Sequence, residues 1–132
     1  MANNPISIGV GGDFVPLNIN ATDAITVSIT IKLLDAGWQY NASHLIVIAG
    51  KDKYNNNVEP SDLPLGNGST LKGEKMGISS QVTQIRNGAA TAVPSKVLYT
   101  VEIKANGVTL QSYSNTSGTD NPVDFITKLQ FV

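Results

Sequence analysis

The sequence has no cysteine, one histidine (His44) and one tryptophan (Trp38). Without cysteine there is neither a disulfide framework nor a thiolate metal site, so stability must come from the core. A single imidazole removes most Ser-His-Asp and His-rich zinc designs, which need the ring placed against a nucleophile or need two or more nitrogen ligands. Charge is scarce as well. Nine Lys+Arg against ten Asp+Glu make up 14% of the chain and leave a net charge of -1. No basic cluster interrupts this balance, which argues against nucleic acid as a partner, because phosphate binding needs a concentrated basic face. No apolar run approaches the roughly 18 residues of a membrane span. Met1-Ala2-Asn3-Asn4-Pro5 does not open a basic-then-apolar leader either. The chain therefore reads as soluble, without membrane insertion, and its compartment stays open. No window of about twelve residues sustains the 3.6 period, so helix is expected to be minimal.

What is present suits one β domain over residues 1–132. The apolar fraction of 41% is enough for a core at this length. The polar surface must come mostly from Asn, Ser, Thr and Gln. Such a surface has little self-repulsion, so self-association is expected to be easy.

From Ile25 to Leu33, Ile25, Val27, Ile29, Ile31 and Leu33 alternate with Thr26, Ser28, Thr30 and Lys32, the period-2 pattern of a half-buried strand. Val97, Tyr99, Val101 and Ile103 repeat it. Asn106-Gly107 then supplies both left-handed positions of a tight turn, so Val97 to Tyr113 reads as a β-hairpin. Val123, Phe125, Leu129 and Phe131 alternate once more, with Ile126 and Val132 breaking the polar face. Leu45 to Ala49, ended by Gly50, suits a central strand covered on both faces. Ile6 to Val10 and Phe14 to Ile19 give two short strands, with Pro16 on an edge or in a bulge. Ile78 to Arg86 reads as a weaker edge strand leading to a second turn at Asn87-Gly88. Lys51 to Gly77 reads as one long connection, either a loop used in function or assembly or a surface meander with one short strand near Leu71. The sum is seven or eight strands in an all-β, two-sheet antiparallel β-sandwich, immunoglobulin-like or jelly-roll-like in type.

Chemistry-bearing motifs are few. Gly9-Val10-Gly11-Gly12-Asp13 is followed by strand-forming Phe14-Val15-Pro16 and not by a helix N-terminus, so a turn is preferred to a phosphate loop. His44, at the head of the Leu45 strand, is expected to make a structural hydrogen bond. The carboxylates fall mostly in turns, where Asx side chains bond the local backbone, so a glycosidase pair is not expected. Two oxygen-rich stretches, Asp52 to Asp62 and Asn115 to Asp124, make Asp52, Asp62, Asp120 and Asp124 candidate calcium ligands, although ordinary Asn-rich turns are preferred. Trp38, Tyr40 and Tyr54, with Asn55, Asn56, Asp120 and Asn121, form a candidate carbohydrate site in which rings would stack on a sugar and amides bond its hydroxyls. Aromatics closing one end of the sandwich are the preferred alternative.

The leading expectation is a non-enzymatic interaction or assembly module that self-associates, with no cofactor. The alternative is a lectin-like carbohydrate-binding module, with or without calcium.

Overall fold

A computed structural model describes residues 6–8, 13–86 and 93–132, the first three by their backbone. Its ten strands form two sheets. The first contains β1 (Ile6–Ile8), β2 (Val15–Leu17), β4 (Trp38–Ile48), β5 (Lys51–Asn56), β7 (Lys75–Arg86) and β10 (Val123–Phe131). Its order is β1-β10-β7-β4-β5, with β2 also on β10. The second runs β6-β3-β8-β9, from β6 (Leu63–Asn67), β3 (Ala24–Leu33), β8 (Val97–Ala105) and β9 (Val108–Thr116). The expected β-sandwich is thus present, and the strands beyond seven or eight are short pieces at its edges.

Alternation builds the core. Ile25, Val27 and Ile29 of β3 and Val97, Tyr99, Val101 and Ile103 of β8 are buried, facing Ile46, Met76, Ile78, Val82, Phe125, Leu129 and Phe131 of the other sheet. Tyr99 stacks on Phe125 across the gap, with ring centroids 4.4 Å apart and planes 8° from parallel. At about 25 cal/mol per Å² these side chains supply most of the driving force for folding. The Val97 hairpin forms as expected, with Asn106 at φ 55° and Gly107 at φ 80°.

Three expectations need correction. The Ile78 to Arg86 segment is part of β7, paired with β4 as far as Arg86 on one side and with β10 as far as Val82 on the other, so it is an interior strand up to Val82 and has an open flank only over 83–86. Its pattern misleads because two of its polar residues, Ser80 and Gln84, point inward and are satisfied there: buried Gln84 donates to Ser95 O (2.8 Å) and accepts from Ser95 N (2.9 Å), as a strand neighbour would. The Lys51 to Gly77 stretch is not one long loop. It contains β5, β6 and a single helical turn, α1 (Gly68–Leu71), so Leu71 sits in helix and not in a strand. The Leu45 to Ala49 strand is longer than expected: β4 runs Trp38–Ile48, taking in Trp38 and Tyr40 and leaving Ala49 in the turn at φ 53°. The Asn87-Gly88 turn and residues 9–12 of the glycine-rich motif lie outside the described residues. β7 and β8 belong to different sheets, so the chain crosses the sandwich between them.

β1 and β2 pair with β10 in parallel, the departures from antiparallel order, and share its free side: Ile6–Ile8 beside 125–127, Val15–Leu17 beside 129–131. Together they act as one interrupted edge strand. Pro16 sits on that edge, where its missing N–H costs no ladder bond.

Candidate functional site

His44 and Ser80 are register partners on the inner face of the first sheet, both buried. Ser80 Oγ lies 2.7 Å from His44 Nδ1 and 2.7 Å from the hydroxyl of Tyr99, which reaches across from β8. The chain leaving β5 then crosses to the other sheet, and Ile29 N donates to Pro60 O (2.9 Å) to hold it there. That crossing brings Glu59 against the histidine, with Oε2 3.2 Å from His44 Nε2, while Tyr40 donates to Oε1 at 2.5 Å. A chain of polar contacts therefore runs Tyr99, Ser80, His44, Glu59, Tyr40, from the middle of the core to the surface.

Proton direction along this chain follows from what each group can do. A carboxylate only accepts, so with Glu59 ionised Nε2 carries the ring proton toward it. With Nδ1 unprotonated, that nitrogen accepts from Ser80, and Ser80 accepts from Tyr99. Every donor points toward Glu59. Burial pushes the Tyr99 hydroxyl up to about 12, with the Ser80 hydrogen bond opposing. Tyr40 is also pushed up to about 12, by desolvation first and then by the hydrogen bond to Glu59 and its charge.

Ser80, His44 and Glu59 are the residue types of a hydrolytic triad, but they are turned inside out. In a triad the serine meets substrate and the acid is buried behind the histidine. Here Ser80 is fully buried and held between His44 and Tyr99, whereas Glu59 faces the surface. A substrate carbonyl has no path to Ser80 Oγ. This arrangement is a buried polar network that ties both sheets and the β5–β6 crossing together. The sequence reading foresaw a structural hydrogen bond for His44. It did not foresee the partners, because residues 44, 59, 80 and 99 carry no local signal and meet only through strand order.

An open groove of about 740 Å³ lies where this network reaches solvent, lined by Tyr40, Asn41, Ala42, Asn57, Val58 and Glu59. Of the residues proposed for sugar binding it takes in Tyr40 alone. Trp38 starts β4 half-buried, and Tyr54 packs against the core with its hydroxyl on Val58 O at 2.6 Å. Asn56 accepts from the backbone of Asn57 (2.7 Å) and Val58 (3.3 Å), closing a turn, and Asn55 is exposed on β5. Asp120 and Asn121 lie elsewhere, in the β9–β10 connection beyond the far side of β7. The Asn121 amide accepts from Gln84 N (2.8 Å) and donates to Gln84 O (3.1 Å), extending the ladder.

The four carboxylates considered for calcium are not gathered. Asp52 is exposed on β5; Asp124 accepts from Gln81 (3.1 Å) on the outer face; Asp120 is exposed in its loop. Asp62 is paired with Lys104 at 2.9 Å on the second sheet, and that ammonium holds its carboxyl below the usual range. Among the described residues no group of three or more His, Asp or Glu side chains is placed to hold a metal ion.

The sheet edges differ sharply from one another. β5 carries Lys51, Asp52 and Lys53; β6 has five residues, includes Pro64 and faces a bulge at Ile25/Thr26; β1 and β2 have three residues each. All are features that discourage pairing with another chain. Residues 38–43 of β4, which β5 does not reach, are a further open flank without charge, and they run along the groove beside Asn57, Val58 and Glu59. β9, Val-Thr-Leu-Gln-Ser-Tyr-Ser-Asn-Thr, has nine residues with no charge, proline or glycine. Its one irregularity, a bulge that leaves Leu110 unpaired, lies at the hairpin end.

Comparison with known proteins adds no name to this arrangement: no protein-family model, no curated protein and no solved structure matches the chain.

Proposed function

We propose that this protein is a non-enzymatic assembly module that associates by adding a strand at the open edge of β9. The observation that carries the reading is an uncharged nine-residue edge, longer than any other open flank among the described residues: 38–43 of β4 is uncharged but shorter, and the rest are short or guarded by charge or proline. Free backbone donors and acceptors on such an edge are ready to pair with an extended segment. The low net charge supports the same reading, since molecules of charge -1 repel one another weakly at close range. A catalytic role finds no support in the inverted Ser80–His44–Glu59 network. A saccharide reading is supported less well, because Trp38, Tyr40 and Tyr54 lie on the inner face of the first sheet, each half-buried, and of the three only Tyr40 lines the groove.

Size-exclusion chromatography with light scattering tests the reading. The wild-type chain is expected to associate, with itself or with an added extended peptide, and Ser114→Pro is expected to abolish this. Position 114 presents its N–H to the open edge, so proline there removes no bond within the sheet. A strict monomer that takes up no strand at high concentration overturns the reading.

A further inference from the structure

The register of β9 points to a particular partner and a particular geometry. Ser117 N donates to Val97 O at 2.8 Å, which sets the parity of the β8–β9 ladder. Counting by twos from that pair, Asn115, Tyr113 and Gln111 face β8 with their backbone groups, opposite Tyr99, Val101 and Ile103. Ser112, Ser114 and Thr116 therefore direct both N–H and C=O away from the sheet. Among the described residues, a long 3.3 Å contact from Gln111 Nε2 to Ser112 O is the one hydrogen bond that touches these groups.

The bulge at Leu110 ends the regular part of this edge, leaving 111–116 for pairing. We infer that the occupant is a second copy of this chain, its β9 antiparallel to the first about a two-fold axis at Ser114. This rests on the assembly reading above and specifies its partner. In that register Ser112 meets Thr116 of the other copy, Ser114 meets itself, and Thr116 meets Ser112: three hydrogen-bonded pairs, each exchanging two backbone bonds. Centring on Tyr113 forms only two such pairs before the bulge intervenes, and centring on Ser112 places the bulge inside the ladder. On the outer face the matched side chains are all Ser or Thr, with Ser114 already 2.9 Å from Thr100 Oγ1 of its own sheet. On the inner side Tyr113 meets Asn115. No charge faces another charge anywhere in the ladder. The product is a continuous eight-stranded sheet, β6-β3-β8-β9 followed by its symmetry mate, with each first sheet packed behind. A C2 contact of this kind closes on itself and uses both open edges.

A charge-swap experiment reads out the axis directly. Side chains of a residue paired with itself across an antiparallel ladder sit about 5 Å apart. Ser114→Lys alone and Ser114→Asp alone should each weaken the dimer roughly tenfold or more, since like charges then oppose each other. An equimolar mixture of the two should regain the dimer mass in light scattering. Wild-type dimers that persist in both single variants, or a mixture that stays monomeric, overturn the Ser114 axis while leaving association through another surface. A wild-type monomer that nonetheless binds an extended peptide overturns self-pairing and leaves the assembly reading standing; a monomer that binds nothing ends both. Should the charged variants fold poorly, amide exchange on the wild-type chain supplies the same decision. Exchange at Ser112, Ser114 and Thr116 should slow at least about tenfold between dilute and concentrated protein. Concentration-independent exchange there refutes the inference.

Discussion

At the scale of the residue, the buried network sets the terms. Ser80→Ala leaves the Tyr99 hydroxyl and His44 Nδ1 buried without their shared partner, at an expected cost of about 2–4 kcal/mol. Adding Tyr99→Phe removes one of those orphans, so the double variant should be more stable than the two losses summed, by about 1 kcal/mol or more. Urea denaturation of the four proteins in the cycle measures this. The tyrosines also predict an alkaline limit. In the unfolded chain they ionise near 10, whereas folding holds the proton on Tyr99 up to about 12. Stability is therefore complete below pH 10 and declines as pH rises toward 12, by roughly 2–3 kcal/mol from Tyr99, with Tyr40 adding less because it is more exposed. Unfolding midpoints at pH 8 and pH 11 should converge in Tyr99→Phe relative to wild type. None of this was legible residue by residue. A lone histidine at a strand head says that it needs partners, but Ser80 and Glu59 reach it through pairings 36 and 15 residues away.

Among the elements, the turn from β6 through α1 into β7 has the least room. A Cβ on Gly68 would stand 1.8 Å from the backbone oxygen of Asn20, because Gly68 N and Ser69 N bond the 20–23 turn at 2.8 and 2.9 Å. Gly68→Ala is expected to cost about 2 kcal/mol or more through that overlap. Gly73→Ala, in open space at φ 86°, should lose only about 1–2 kcal/mol from its left-handed backbone. Comparing the two urea midpoints checks the order. Elements with strict alternation were readable in advance: β8 and β10 bury every second residue, and β3 does so from Ile25 to Ile29. β7 was placed at an edge because Ser80 and Gln84 interrupt its inner face, and side chains satisfied by distant partners look like solvent-facing ones in sequence. β5 was hidden for the opposite reason, since at the rim only Tyr54 of its six residues is sheltered.

For the whole molecule, strand order decides function in a way that no segment does. The hairpin ending in Thr116 could be read from Asn106-Gly107, yet whether β9 is an edge depends on which strand lies beyond it. If copies pair there, stability must depend on concentration. The Tm of the wild-type chain should rise by several degrees between micromolar and near-millimolar protein, and that of Ser114→Lys should stay flat; differential scanning calorimetry distinguishes them. The placing of β10 has a further consequence, for the making of the protein. It binds β1, β2 and β7, all translated earlier. While the ribosome is still working through residues before Val123, β7 has one flank bare and the two leading strands have nothing to lie against. The second sheet and its hairpin draw on none of these pairings; the other half of the sandwich waits for β10, and a nascent chain halted short of it would leave residues 75–82 of β7 without the partner that covers them.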